Sequence, residues 1–429
     1  MTGVLIGSLL VLLFLTVPIF ASLCICTLVV FAVFFAGSGM ETMLAQSIVT
    51  SCDSFPLMAI PFFMLVGTLM SKTGIAGKLV AVAEAVTGDS PGGLGNAAII
   101  ACMLFAAISG SGPATAAAIG GLMIPAMVEQ GYPSKYAGAL VASGSTIGPV
   151  IPPSIPLIMY AVTVGVSTST LFTAGFIPGI MMGIGLIIYN KLVSKKSGYR
   201  GAVKATTAKE KLKIMKEAIW ALLMPVIVLG GIYSGLFTPT ESAVVGVVYS
   251  LFVGKFIYKT LTFNNYVEAV IEAGITSATI MILFGGANTF GRILTIGKIP
   301  ETITSAMLSV TDNTAIILLL INFLLLLAGM FIDTNSSMIL FAPIIVPIMQ
   351  TLGYDPIFIG IMMCVNLCIG MLTPPLGPNL FISQRVAGVK LEEILPESLK
   401  QVVILYIVLA VMILFPQTVM FLPKLLGMV

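Results

Sequence analysis

The feature that most constrains this chain is a series of long apolar runs that are almost free of charge. Residues 4–35 contain no Lys, Arg, Asp or Glu, and a helix needs about 20 mostly apolar residues to cross a bilayer. Only 9% of all residues are charged, whereas soluble domains carry about 25%. The runs also lack the alternation of apolar and polar residues that membrane β-barrels require. We therefore predict an all-α integral membrane protein with roughly a dozen spans.

The residue types that are missing exclude several classes of function. The chain has no histidine, which excludes His-ligated metal centres, catalytic triads that contain His, and a histidine pH switch. Its net charge of +3 is too small to form a basic face for nucleic acid. No basic residue precedes Lys72, whereas a secretory signal begins with basic residues. We therefore interpret the first run as a membrane helix.

One basic segment divides the chain. Nine of the twenty cations lie between Lys191 and Lys216, and short loops rich in Lys and Arg remain in the cytoplasm. Residues 205–217 also have the pattern of an amphipathic helix that lies along the membrane surface. The segment either sets the topology or binds lipids. It separates a first unit, 1–190, from a connecting segment, 191–217, and a second unit, 218–429.

The two units are related by a constant offset of 222 residues. Eight positions match without a gap: Pro125, Gly131, Tyr132, Gly138, Gly148, Pro152, Pro153 and Pro156 pair with Pro347, Gly353, Tyr354, Gly360, Gly370, Pro374, Pro375 and Pro378. Internal repeats of this kind are typical of secondary transporters. The first unit ends in the basic segment. The equivalent end of the second unit, 411–429, has a single basic residue, Lys424. We therefore predict two repeats of inverted topology.

A polar stretch interrupts an apolar segment at the same place in each repeat. The first extends from Ser109 to Thr115 and the second from Asp333 to Ser337. Irregular backbone at membrane depth is tolerated only where protein or an aqueous cavity surrounds it. We therefore predict two re-entrant helical hairpins with tips near 109–113 and 333–337. The alternative is an ordinary turn outside the membrane, which Ser and Gly also favour.

A proline cluster follows each of these stretches, at 148–156 and at 370–378. Proline removes an amide donor and clashes with the preceding turn, so each cluster is expected to break a membrane helix and to leave carbonyl oxygens free. Such oxygens, together with Ser, Thr or Asp side chains, are natural ligands of Na⁺. One tip and one broken helix would form one ion site in each repeat.

Asp333 is the most informative single residue. A charge inside an apolar bundle costs at least about 2.5–3.5 kcal/mol, so a carboxylate in the second polar stretch indicates an ion ligand. Its counterpart in the first repeat is Ser111. The alternative is that Asp333 caps the following helix. Arg292 could meet an anionic substrate, although snorkelling to the membrane interface explains such a cation equally well.

With these motifs the sequence resembles the large (M) membrane subunit of tripartite ATP-independent periplasmic (TRAP) transporters. The resemblance is carried by 109–120 (SGSGPATAAAIG), 148–155 (GPVIPPSI), 235–243 (GLFTPTESA), the Asp333-Thr334-Asn335 tip and 372–381 (LTPPLGPNLF). It implies an elevator-type, Na⁺-coupled importer of the ion transporter superfamily in the bacterial inner membrane. The substrate would be an organic acid, sialic acid in preference to a C4-dicarboxylate.

The same resemblance implies partners and site residues. A periplasmic substrate-binding protein would deliver the acid, and a small four-helix (Q) subunit would accompany this chain in the lipid bilayer. Carried over residue by residue, the first Na⁺ site would consist of Ser109, Ser111, Gly148, Ile151 and Pro153, and the second of Asp333, Asn335, Gly370, Thr373 and Pro375. The substrate would lie near Ser111, Thr334 and Arg292.

Three alternatives remain open. A stand-alone Na⁺-coupled carboxylate carrier of the same superfamily would need no binding protein, and a channel would show uptake that saturates poorly. An intramembrane enzyme such as an aspartyl protease needs two carboxylates that share a proton. Asp333 has no obvious buried second carboxylate in the sequence, so we expect no enzymatic activity.

Overall fold

The computed structural model describes residues 1–15, 17–36, 41–88, 90–199, 207–310, 313–375 and 377–429, and all regular structure in these ranges is helical. The α-helices are α1 (Thr2–Phe14), α2 (Ile19–Phe34), α3 (Glu41–Cys52), α4 (Ala59–Lys72), α5 (Ile75–Thr87), α6 (Gly93–Ser109), α7 (Gly112–Glu129), α8 (Ser134–Ser145), α9 (Ile155–Val164), α10 (Thr168–Ser197), α11 (Ala208–Tyr233), α12 (Pro239–Phe252), α13 (Phe263–Ile296), α14 (Ile299–Val310), α15 (Thr314–Phe331), α16 (Thr334–Thr351), α17 (Pro356–Gly370), α18 (Pro378–Ala387), α19 (Leu391–Leu414) and α20 (Gln417–Leu425).

The described ranges contain fewer full-length spans than the sequence suggested. Six helical segments are long and apolar enough to cross a membrane: Phe55–Lys72, Thr168–Ser197, Pro239–Ile257, Phe263–Ile296, Thr314–Phe331 and Leu391–Leu414. Four further apolar helices, α2, α6, α9 and α17, have between 10 and 17 residues. Short turns and proline clusters divide several of the described apolar segments into these shorter arms.

The order of helices repeats with the sequence. α7 begins at Gly112 and α16 begins at Thr334, which is 222 residues later; α8 and α17 begin at Ser134 and Pro356, with the same separation. The first break, segment 146–154, separates α8 from α9. The second break, segment 371–377, separates α17 from α18. Both interruptions contain a cis Pro–Pro bond. The matched motifs therefore occupy matched places between helices.

The broken helices pack across the boundary between the repeats. α9 packs on α16, whereas α18 packs on α7 and α8. The Tyr160 hydroxyl of α9 donates to the Pro356 carbonyl of α17 at 2.6 Å. The Cys364 thiol of α17 donates to the Pro149 carbonyl in the first break at 3.3 Å. These contacts join the hairpins and broken helices of both repeats into one packed unit.

The basic segment contains more helix than expected. α10 continues through it to Ser197, and α11 begins with a capping box of Thr207 and Glu210. Residues 200–206 lie outside the described ranges. The lysines that follow Thr207 occupy the first turns of a helix that continues without interruption to Tyr233. The basic residues predicted to form an amphipathic connecting helix thus lie at the start of α11, which continues into the apolar part of the chain.

Candidate functional site

Helices α6 and α7 form the first hairpin. Its tip is the turn between them, at Gly110 and Ser111. Gly110 ends α6 with a φ of +60°, a conformation that glycine adopts without steric cost. The Ser111 hydroxyl accepts a hydrogen bond from the Ala114 amide at 3.4 Å, which satisfies one free amide at the start of α7. The Thr115 hydroxyl donates to the Ser111 carbonyl at 2.7 Å, and the Ser109 hydroxyl lies 3.2 Å from that of Thr115. The hydroxyls of this first tip therefore have partners within it.

The break after α8 packs directly against the first tip. A methyl group built on Gly148 would lie 2.8 Å from the Ser111 carbonyl oxygen, so a side chain at this position would force the tip away. A methyl group built on Gly110 would lie closer still to the Pro153 carbonyl oxygen. The structure thus brings Ser109, Ser111, Gly148 and Pro153 into one neighbourhood that is rich in backbone oxygens.

Helices α15 and α16 form the second hairpin. Its tip is the equivalent turn, at Ile332 and Asp333. One Asp333 carboxylate oxygen accepts hydrogen bonds from the amides of Asn335 at 2.9 Å and Ser336 at 3.2 Å, and the other accepts from the Ser336 hydroxyl. Asp333 is therefore the N-cap of α16, which is the alternative that the sequence left open. Its side chain is exposed. The expectation of a charge enclosed by apolar helices is wrong for this chain alone, because no described helix covers this side of the turn.

The second break packs against the second hairpin through glycine and threonine. A methyl group built on Gly370 would lie 2.6 Å from Cα and 2.7 Å from the carbonyl carbon of Gly329, near the end of α15. The Thr334 hydroxyl donates to the Met371 sulfur at 3.1 Å. The second break therefore contacts the second hairpin at Gly329 and at Thr334, the residue that follows Asp333.

Three oxygens of the second site are buried and have no hydrogen-bond partner among the described residues. They are Asn335 Oδ1, Ser337 Oγ and Thr373 Oγ1. Leaving a buried hydroxyl or amide unpaired costs roughly 1–3 kcal/mol. Asn335 and Ser337 lie in the first turn of α16, and Thr373 lies in the break that packs against it. These neutral oxygens beside a carboxylate have the chemistry of a hard-cation site.

Ser337 was not among the residues selected from the sequence. Its counterpart in the first repeat is Thr115, whose hydroxyl is hydrogen-bonded to the first tip. Comparing the repeats one turn beyond each tip would have found the pair, since both positions carry a hydroxyl. The sequence could not indicate which of the two hydroxyls would lack a partner.

Five of the ten predicted Na⁺ ligands have no side-chain oxygen: Gly148, Ile151, Pro153, Gly370 and Pro375. The Ile151 side chain packs on Gly179 of α10, so only the backbone of Ile151 could serve an ion. Pro375 is exposed at the far end of the second break. Only their carbonyl groups could serve as ligands.

Arg292 lines a separate cavity of about 390 Å³. The polar side chains of the cavity are Asn288, Arg292 and Thr295 of α13 and Thr163 of α9, and Pro343 of α16 lies opposite. Arg292 forms no ion pair with any described carboxylate. Neither Ser111 nor Thr334 lines this cavity, so the structure does not bring the three predicted substrate residues together.

The chain is similar to known transport proteins over most of its length. The family model described as "Tripartite ATP-independent periplasmic transporter, DctM component" matches residues 6–418. The isethionate TRAP transporter permease protein DctMQ of Oleidesulfovibrio alaskensis is 44% identical over 90% of this chain, and the match spans 61% of that relative's length. The sialic acid TRAP transporter large permease protein SiaM of Vibrio cholerae is 40% identical over 89% of both chains. The C4-dicarboxylate TRAP transporter large permease protein DctM of Pseudomonas aeruginosa is 39% identical over 90% of both.

A solved structure has a similar fold. The crystal structure of the Alcanivorax borkumensis YdaH transporter matches with a TM-score of 0.62 and covers 95% of this chain and 99% of its own. The sequence identity is 15%, so this likeness concerns the fold alone. The family match, in contrast, extends over nearly the whole sequence. This chain belongs to the DctM component family of tripartite ATP-independent periplasmic transporters.

Proposed function

We propose that this chain is the membrane-embedded subunit of a Na⁺-coupled importer of a small organic anion. The observation that carries the proposal is that three buried oxygens of the second tip and break, Asn335 Oδ1, Ser337 Oγ and Thr373 Oγ1, have no partner among the described residues, and that the same tip carries the Asp333 carboxylate. A bound cation would provide the missing partners and offset their desolvation. Four oxygens from two segments that are close only after folding would also bind an ion more tightly in one conformation than in another.

Two Na⁺ sites follow from the matched architecture of the repeats. The second uses Asp333, Asn335, Gly370, Thr373 and Pro375, to which the unpartnered oxygen of Ser337 is added. The first uses Ser109, Ser111, Gly148, Ile151 and Pro153. It relies on backbone carbonyls, because the tip hydroxyls are already hydrogen-bonded. The first site has no carboxylate, so we expect it to bind Na⁺ more weakly than the second.

The substrate is a small organic acid. The three named relatives handle isethionate, sialic acid and C4-dicarboxylates, which are all anions at neutral pH. A periplasmic binding protein delivers the anion, and a small permease subunit accompanies this chain in the inner membrane. The unpaired Arg292 guanidinium attracts the anion to its cavity at the edge of the packed unit of hairpins and broken helices.

Transport proceeds by alternating access of an elevator type. Each hairpin packs on the break of its own repeat, and α9 and α18 each pack on the hairpin of the other repeat. Na⁺ bound between tip and break holds the hairpins closed on the anion, and this packed unit then moves relative to the long helices that surround it. A stand-alone carrier would show the same Na⁺ dependence without a binding protein. Uptake measured with and without that protein separates the two.

The decisive experiment distinguishes ion binding from helix capping at Asp333. D333S introduces the residue type that caps α7 in the first repeat, so it preserves a cap and removes the charge. We expect D333S to unfold at nearly the wild-type temperature but to lose Na⁺-driven uptake in proteoliposomes. D333A would in addition lose about 1 kcal/mol of stability, the usual contribution of a cap.

Asp355 provides a matched control. It caps α17 by accepting from the Ile357 amide at 2.7 Å, and it lies outside both proposed ion sites. D355S should therefore retain Na⁺-driven uptake. Wild-type Na⁺ dependence in D333S, or an equal loss of uptake in D355S, would remove the Asp333 carboxylate from the ion site.

A further inference from the structure

Asn379, the second residue of α18, is a buried carboxamide that has no hydrogen-bond partner in the described part of the chain. Its side chain is 0% exposed, and neither Nδ2 nor Oδ1 has a hydrogen-bond partner among the described residues. Buried polar side chains are nearly always hydrogen-bonded, and leaving one unpaired is costly. An amide with both of its groups unpaired requires an explanation that packing alone does not provide.

The Asn379 amide faces the start of the first hairpin's second arm. A methyl group built on Gly112, the first residue of α7, would lie 2.8 Å from Asn379 Nδ2 and 3.0 Å from Oδ1. Asn379 itself lies in the first turn of α18, which begins at Pro378. Two helix N-termini therefore meet at this amide, and each carries a partial positive charge with unpaired N–H groups. This environment favours an anion and disfavours a cation.

The repeat shows that the fold does not require an amide at this position. Subtracting 222 from 379 gives Leu157, which occupies the first turn of α9 and is also 0% exposed. α9 packs on the second hairpin as α18 packs on the first. The same place in the architecture is therefore filled by an apolar side chain of similar size, so the cost of burying Asn379 has a functional explanation.

We infer that Asn379 is a specificity-determining residue that donates a hydrogen bond from Nδ2 to an oxyanion of the transported acid, together with the N-terminal amides of α7. Ser383, one turn further along α18, is also buried with an unpartnered hydroxyl. Its hydroxyl could hydrogen-bond a second group of the substrate, such as a hydroxyl. The inference rests on the proposed transport of an organic anion, and it adds the residues that bind it.

The position of Asn379 links anion binding to the first ion site. Gly112 follows Ser111, whose carbonyl lies against Gly148. An anion held at Asn379 therefore lies next to the tip whose neighbouring oxygens hold Na⁺. Because the amide is closed off from solvent in this structure, the anion reaches it only when the first tip moves. Binding of the anion at Asn379 and of Na⁺ at the first ion site is consequently coupled.

The test replaces Asn379 by leucine, the residue at the equivalent position, Leu157, of the first repeat. In proteoliposomes with the complete complex and with isethionate, sialic acid and succinate as probes, N379L should raise the KM for the transported acid about tenfold or more, the loss expected for a hydrogen bond to a charged group. At a saturating concentration of the acid, the Na⁺ concentration for half-maximal uptake should change by less than about twofold, since the amide lies outside the ion ligands. L157M, the control at the equivalent position, should leave the KM unchanged.

The outcomes separate this inference from the proposed function. An unchanged KM in N379L, with Na⁺-driven uptake intact, would overturn the role of Asn379 and leave the transporter assignment standing. Absence of Na⁺-driven uptake by the wild-type complex would overturn both. If N379L does not reach the membrane, N379S keeps one hydroxyl in a smaller side chain. A raised KM in N379S supports the inference and an unchanged KM overturns it.

Discussion

Substituting Gly370 by alanine tests whether the second hairpin must lie against the second break. The new methyl group would lie 2.6 Å from Gly329 Cα and 2.7 Å from its carbonyl carbon, whereas non-bonded carbon atoms settle at about 3.5–4.0 Å. Both neighbours are backbone atoms, so α15 and α17 must separate by roughly 1 Å. Overpacking of this kind costs about 1–3 kcal/mol. The separation would also move Thr373, which follows Gly370 in the second break, relative to α16.

The assay is thermal unfolding of the purified protein in detergent, with and without Na⁺. An ion that binds only the folded state at a hundred times its Kd stabilises that state by about 2.7 kcal/mol. G370A should lower the unfolding temperature without Na⁺ and should lose most of the increase that Na⁺ gives the wild type. G121A is the matched control, because a methyl group on Gly121 of α7 meets nothing within 4 Å and alanine favours a helix by up to about 1 kcal/mol. Equal stability and an equal Na⁺ response in G370A and G121A would refute the reasoning.

Two other substitutions test the packing between repeats and the Arg292 cavity. Y160F removes the hydrogen bond to the Pro356 carbonyl, so we expect thermal unfolding to show a loss of about 0.5–1.5 kcal/mol while the Na⁺ response persists; an unchanged unfolding temperature would contradict this. R292Q should raise the KM for the transported anion in the proteoliposome uptake assay without lowering the unfolding temperature. The nearby K298Q should leave the KM unchanged, because Lys298 does not line the cavity; equal effects of the two would indicate that both cations only snorkel to the interface.

Much of the local architecture could be predicted from glycine, proline and serine. The stretch that begins at Ser109 and the clusters at 148–156 and 370–378 indicated where helices end, and helices do end there. Gly110 supplies the left-handed turn and Ser111 the cap. These residues act on their own backbone within one helical turn, so their effect is visible without knowledge of the neighbours.

Other expectations failed or stayed incomplete because they depended on contacts between distant segments. Asp333 was expected inside an apolar bundle, but it caps α16 at an exposed turn. Arg292 was grouped with Ser111 and Thr334, but it lines its own cavity. Sequence spacing gives the helix on which a residue lies, whereas the helix that it faces follows from packing.

The sequence by itself determined that this chain is helical and apolar, that it is built from two related halves, and where each half is interrupted. Only the tertiary structure decided which oxygens lack partners: Thr115 and Ser337 occupy equivalent positions, yet only Ser337 is unpaired, and Asn379 is unpaired where Leu157 needs no partner. The physical reason is that a buried hydroxyl or amide depends on the groups that the folded chain packs around it: Thr115 bonds within its own tip, whereas no described group packed around Ser337 or Asn379 supplies a partner.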